Sequence, residues 1–212
     1  IRGNLYGDVS AMDSLFWGNG WMWDADPEPF AAYLTSLNIN KNSVQIVYEP
    51  GEIGKEAIIE LIPKTNFFQI KNPSLTIDTG KTTIRITRDW INRNNIILVN
   101  GNITRTSKRD TISLSVFNPT FYCLNLMKES IEQNGISFKG KVDILTMPIE
   151  TKKIFSFERD LEPVITNTNK ISDNLSAEMI LRTLALYSSN KTPTAAKGIR
   201  IIDSLITLAG IN

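Results

Sequence analysis

The strongest constraint on the fold is a change of hydrophobic period partway along the chain. Between about residues 38 and 117, apolar and polar residues alternate, as in Val44, Ile46 and Tyr48, in Ile84 and Ile86, and in Ile112, Leu114 and Val116. A period of two puts such residues on one face of a strand. Residues 57–62 and 95–99 are denser apolar runs and read as more buried strands. Turn-forming residues separate the runs at Glu49-Pro50-Gly51, Asn72-Pro73, Asp78-Thr79-Gly80 and Asn100-Gly101. The block predicts about six or seven short strands. The period then lengthens. Asn118 can cap a helix with Pro119 in its first turn, and Phe121, Leu124, Met127, Lys128 and Ile131 follow at helical spacing before Gly135. Residues 136–145 read as extended, and residues 147–164, with Pro148 and Pro163, as an irregular return. Helices are expected over residues 173–187, with Leu175, Met179 and Leu184 on one side, and over 195–209. In the second, Ile199, Ile202, Leu205, Ile206 and Ala209 form an apolar stripe ended by Gly210. Strands first and helices last argue for an α+β fold with a break near residues 150–165.

Composition narrows the chemistry. The 212 residues include no histidine and one cysteine. That excludes Ser-His-Asp and Cys-His nucleophiles, a histidine general base and His-ligated zinc. With a single thiol, no metal site is expected and no disulfide can close within the chain. The charge is balanced at +1, with no Lys/Arg cluster interleaved with aromatics, so nucleic acid is not an expected partner. No apolar run approaches the roughly 18 residues of a membrane span. The chain opens at Ile1-Arg2-Gly3-Asn4 without a signal-peptide pattern and closes at Ile211-Asn212, which reads as a piece of a longer protein.

Two stretches carry chemistry. The first, residues 6–30, packs Phe16, Trp17, Trp21, Trp23 and Phe30 among glycines and acids and reads as an ordered loop. It could seal a domain junction, or Trp23 with Asp24 or Asp26 could recognise a ligand. The two carboxylates alone do not make a glycosidase pair, because nothing else supports two positioned acids. The second is Ser172-Asp173-Asn174, a tripeptide of the kind that works with Ser-x-x-Lys and Lys-Thr-Gly in active-serine enzymes acting on D-alanyl peptides or β-lactams. The serine hydroxyl can donate and accept a proton, and the Asn amide can hold a substrate peptide bond. At i, i+2 on a non-helical turn both can face a cleft while Asp173 faces away. Ser-x-Asn occurs three times in the chain, at Ser36, Ser172 and Ser188, and Ser172 could equally be a helix N-cap. Cys123 reads as a small apolar residue.

The context of Ser172 carries more information. Leu161-Glu162-Pro163-Val164-Ile165 leads through Asn169-Lys170-Ile171-Ser172-Asp173-Asn174-Leu175-Ser176-Ala177-Glu178 into a helix. This resembles the second active-site motif of the D-alanyl-D-alanine carboxypeptidase/endopeptidase family, the class C low-molecular-mass penicillin-binding proteins. Gly7-Asp8-Val9-Ser10, Gly20-Trp21-Met22-Trp23-Asp24, Ala31-Ala32-Tyr33-Leu34, Asn118-Pro119-Thr120-Phe121-Tyr122 and Lys197-Gly198 follow in the family's order.

The resemblance implies that residues 1–160 are strand-rich material, with one helix at about 119–134, inserted into a penicillin-recognising domain of the serine β-lactamase/transpeptidase type. Residues 161–212 would be a helical part of that domain. It further implies an exported, periplasmic or extracytoplasmic serine peptidase without a cofactor or metal, acting on peptidoglycan stem peptides and acylated by β-lactams. Ser172 would relay a proton, Asn174 would hold the substrate, and Trp23 with Asp24 or Asp26 would meet a side-chain amine.

The family's nucleophile motif, Ser-x-x-Lys, is found here only as Ser188-Ser189-Asn190-Lys191, after the second motif, and reads as chance. Lys-Thr-Gly is absent, and Lys191-Thr192-Pro193 does not replace it because proline lacks the N–H. The chain is therefore expected to be an inactive interior piece. A non-catalytic cell-wall-binding or interaction module is the alternative of a different class. A β-lactamase is disfavoured by the resemblance across the inserted material.

Overall fold

The computed structural model describes residues 1–188 and 192–211. In chain order the strands are β1 (Leu5–Gly7), β2 (Ser43–Glu49), β3 (Ile58–Ile62), β4 (Gln69–Lys71), β5 (Leu75–Ile77), β6 (Arg85–Arg88), β7 (Ile96–Asn100), β8 (Asn102–Thr104) and β9 (Asp110–Ser115). Helix α1 (Pro119–Gln133), strand β10 (Val142–Ile144) and helices α2 (Leu161–Ile171), α3 (Asn174–Ser188) and α4 (Ala195–Leu208) follow. The fold is α+β.

The alternating runs form the sheets. β2 lies between β3 and β9, antiparallel to both, with Ile46 opposite Leu61 and Ile112. β7 is the middle strand of a second sheet, parallel to β4 and antiparallel to β6. The even positions of β2, Val44 and Ile46, meet Ile97 and Val99 of β7 in one core, closed by Leu114, Val116 and Tyr122 of α1. Two small parallel pairs, β5 with β8 and β1 with β10, complete the strands. Strands β4, β5 and β8 are too short for alternation to reveal, so the region 38–117 holds more strands than its periodicity predicts. Residues 136–145 contribute only the three residues of β10.

Two expectations about helix ends need correction. Asn118 does not cap α1 with its side chain. It has a left-handed backbone (φ 58°), which Asn tolerates, and its carbonyl accepts the Tyr122 N–H at 3.2 Å. The irregular return ends earlier than Pro163 suggested, because α2 already begins at Leu161. Pro163 stands in the first turn, where a backbone N–H has no intrahelical acceptor, so it breaks nothing.

α3 and α4 pack closely: a Cβ on Gly198 would lie 2.1 Å from the Leu181 carbonyl oxygen. Thr194 caps α4 by accepting the Lys197 N–H. The α4 stripe is present, and much of it is uncovered among the described residues. Leu205 is 59% exposed and Leu208 84%, and Phe155, Phe157 and Tyr187 are exposed as well. No helix is long and apolar enough to cross a membrane among the described residues.

Candidate active site

The aromatic loop is ordered by stacking around Tyr33. Phe16 lies nearly parallel to it with centroids 6.0 Å apart, while Trp17 and Phe117 approach edge-on at 5.0 and 5.4 Å. Such offset and edge contacts match the positive ring edge to the negative ring face. Beneath Tyr33 sits a buried polar knot. Its hydroxyl donates to Asp26 Oδ2 at 2.8 Å, and Ser115 Oγ donates to Asp26 Oδ1 at 3.2 Å. The guanidinium of Arg88, fully buried on β6, forms an ion pair with Asp26 Oδ1. Its other nitrogens donate to the carbonyls of Ser115 and Asn94, each at 2.9 Å. Burial, reinforced by the hydrogen bond to the Asp26 carboxylate and its charge, pushes the Tyr33 hydroxyl up to about 12.

Asp26 is thus fully engaged. Of the two candidate carboxylates, Asp24 is the exposed one. It stands with Trp23 on a single 3-10 turn, Trp23–Ala25, where the Trp23 ring is 71% exposed and leans on Trp90 from the β6–β7 turn. A cavity of about 310 Å³ opens there between Trp17, Trp23, Asp26, Trp90, Ile91 and Arg93.

The Ser-Asp-Asn residues form the turn between α2 and α3. Ser172 ends α2 with a left-handed backbone (φ 54°), its N–H bonded to the Thr168 carbonyl and its side chain exposed. It is not the cap of α3. That role falls to Asp173, whose Oδ1 accepts the Ser176 N–H at 3.3 Å. Asp173 turns inward: its side chain is 8% exposed and pairs with Lys41 Nζ at 3.2 Å, while Ser172 is exposed. Asn174 opens α3 and donates from Nδ2 to the Phe30 carbonyl at 2.9 Å. The aromatic loop and the Ser-Asp-Asn turn therefore meet at Phe30.

A small apolar cluster of Met12, Ala32, Leu34 and Leu175, with Trp21 and Met179 against it, closes the same junction. Arg182 of α3 adds a clamp, reaching Asp13 at 3.1 Å and Glu178 at 2.5 Å. No hydrogen bond or ion pair joins Trp23 or Asp24 to Ser172 or Asn174 among the described residues.

Lys41, Arg88, Tyr33 and the Phe30 carbonyl were not singled out from the sequence. Only Lys41 had a local signal, in the Asn-rich run Asn38-Ile39-Asn40-Lys41-Asn42. That run makes a left-handed turn (φ 50°, 56° and 50° at residues 40 to 42), and Asn42 ties it back by donating to the Tyr33 carbonyl at 2.8 Å. Cys123 is half-buried, and burial pushes its thiol up. Ser188 ends α3 and is exposed, while the other residues of its Ser-x-x-Lys, through Lys191, lie outside the described residues. No group of three or more Cys, Asp and Glu is placed to hold a metal ion among the described residues.

Comparison with known proteins gives this geometry a family. The chain is 21% identical over 194 residues to a D-alanyl-D-alanine carboxypeptidase of Actinomadura sp. (strain R39), a match that covers 87% of the chain and 36% of that protein. It superposes on penicillin-binding protein 4 (dacB) of Haemophilus influenzae with a TM-score of 0.77 and 20% identity, over 99% of this chain and 47% of that one. A β-lactam complex of the same protein superposes with a TM-score of 0.63 and 20% identity over 84% and 41%. The chain thus spans less than half the length of these relatives. The model of the D-Ala-D-Ala carboxypeptidase 3 (S13) family matches residues 1–212, and the chain belongs to that family.

Proposed function

We propose that the full-length protein containing this chain hydrolyses the D-alanyl-D-alanine bond of peptidoglycan stem peptides, or the peptide cross-links between them. The observation that carries this reading is the Ser-Asp-Asn turn, held on the aromatic loop through Asn174 and Phe30, in a chain of this family along its whole length. A serine of a Ser-x-x-Lys motif elsewhere in the longer protein attacks the scissile carbonyl, and the C–N bond breaks as D-alanine leaves. Ser172 relays the proton to the departing amine, which an exposed hydroxyl free to donate and accept can do. Water then releases the acyl group. Asn174 gives one amide hydrogen to Phe30 and keeps its second hydrogen and its carbonyl oxygen for the substrate backbone. Trp23 and Asp24 face the stem-peptide side chain, where a carboxylate complements a terminal amine. Asp26 supports them from below. The reaction requires no cofactor and takes place outside the cytoplasm, where peptidoglycan lies. The 212 residues alone are inert, since the nucleophile lies elsewhere.

The test is acylation of the full-length protein by a fluorescent penicillin. The expected result is stoichiometric labelling, slowed about 10²- to 10⁴-fold by Ser172→Ala, the usual contribution of a positioned proton-transfer group. Unchanged labelling of Ser172→Ala would remove that serine from the mechanism. Covalent labelling of the 212-residue chain would move the nucleophile to Ser188.

A further inference from the structure

We propose that the cleft floored by Trp23 and Trp90 binds a pyranose ring of the glycan strand, so that the protein grips the sugar polymer as well as its peptide. The inference rests on the peptidoglycan reading above.

The shape of the aromatic surface selects the ligand. Trp23 and Trp90 come from different parts of the chain, and their rings lie 5.4 Å apart at 43°. At that separation they touch each other, so they make one continuous floor rather than two jaws with a slot. A flat ring cannot slide between them, but a puckered ring can lie on top and direct its C–H face at the indoles. Trp23 remains 71% exposed and the adjoining Ile91 75%, so the floor is open to a polymer passing across it. The cavity above it, about 310 Å³, is of the size that takes a small ligand. A second cavity of about 460 Å³ adjoins it, with Phe16, Tyr33 and Arg93 lining both.

Charge argues against an amine in this cleft. The carboxylate at its base, Asp26, is matched by Arg88 and takes hydrogen bonds from Tyr33 and Ser115. The remaining charged residue lining it is Arg93, whose guanidinium lies 6.0 Å from the centre of the Phe16 ring. A neutral, hydroxyl-rich ring meets these conditions: its oxygens accept from Arg93 while its apolar face covers the indoles. Trp23 would be the wall shared by the sugar cleft and the peptide side-chain site at Asp24.

Isothermal titration of the full-length protein with a peptide-free β-1,4-linked N-acetylglucosamine tetrasaccharide tests this. Saturable binding is expected, weakened about tenfold or more by Trp90→Ala. Ile91→Glu, at an exposed position where the fold is indifferent to the change, is expected to weaken it similarly. Penicillin acylation is expected to be unchanged in Trp90→Ala, so loss of sugar binding and loss of catalysis are read separately. No saturable binding at millimolar sugar, equal binding by both variants, or tighter binding of AMP than of the tetrasaccharide would overturn the proposal. Sugar binding by a protein that no penicillin acylates would leave this proposal standing and remove the catalytic one.

Discussion

Asp26 and Asp24 look interchangeable in the sequence, and the structure predicts that they are opposite in kind. Asp26→Asn removes a charge facing a guanidinium with no exposure to solvent, while the amide keeps the shape of the carboxylate. Arg88 would retain its bonds to the Ser115 and Asn94 carbonyls but lose its counter-charge. Breaking a buried pair by removing one partner costs about 3–5 kcal/mol, because the charge left behind is desolvated without compensation. In a protein of this size each kcal/mol lowers the melting temperature by about 2–4 °C, so a fall of roughly 6–20 °C is expected. Asp24→Asn, at an exposed site, should stay within about 0.5 kcal/mol of the parent.

Urea unfolding followed by tryptophan fluorescence suits the measurement, since Trp17, Trp21, Trp23 and Trp90 all lie around the loop that Asp26 anchors. A double-mutant cycle with Arg88→Met isolates the pair: the double variant should lose less than the sum of the single ones. A loss below about 1 kcal/mol in Asp26→Asn, or additive losses in the cycle, would refute the anchoring role. The carboxylate of Asp26 would then be available to a ligand after all.

Other outcomes follow from the same contacts. The fold binds the Tyr33 proton more tightly than the unfolded chain does, so its contribution is complete below pH 10 and is lost as pH rises through about 12. Urea unfolding across that window should show stability falling with pH, and Tyr33→Phe should flatten the fall. Asp173→Ala removes both the α3 cap and the partner of Lys41, an expected loss of about 1–2 kcal/mol. Lys41→Met removes only a half-exposed ion pair and should cost less than about 1 kcal/mol, so equal losses would rule out the cap. Gly198→Ala would gain helix propensity of up to about 1 kcal/mol in isolation, yet the Leu181 carbonyl leaves no room for the methyl group. A net loss of about 1–3 kcal/mol is expected by thermal unfolding, and a stabilised variant would contradict the close approach of α3 and α4.

The elements legible in the sequence are those whose own side chains decide them. β2 and β9 show their core residues Val44, Ile46 and Leu114 in their alternation, and the Ser172 turn carries a motif. α1 lies where its spacing predicts, but it buries Tyr122 and Leu124, while Met127 of the predicted stripe is 52% exposed. What escaped has a common cause: it depends on partners far along the chain. Arg88 looks like an ordinary strand arginine until β6 brings it beneath residue 26, 62 positions away. The Phe30 carbonyl belongs to a backbone that any residue would supply. Strands β4, β5 and β8 exist because neighbours pair with them, and three residues are too few to show a period. Ser172 and Asp173 are both good caps by residue type, and only the left-handed backbone at Ser172 decides between them.

The same dependence on distant partners bears on catalysis. On one side, α4 turns an apolar stripe outward, with Leu205 and Leu208 largely exposed, and no segment of the described chain covers it. On the other side, the Ser-Asp-Asn turn is already fixed. Asn174 is bonded to the aromatic loop, Asp173 to Lys41 beside the first sheet, and Leu175 to the cluster around Met12. Residues from the first 42 positions of the chain thus make each of these contacts. If the rest of a longer family member packs on the open face of α4, the region expected to be an insertion does more than decorate the enzyme. In the proposed reaction it would hold the Ser172 turn in place through Phe30, Lys41 and the Met12 cluster. Loosening Phe30 or Lys41 should therefore slow acylation even though neither side chain takes part in the proton transfer.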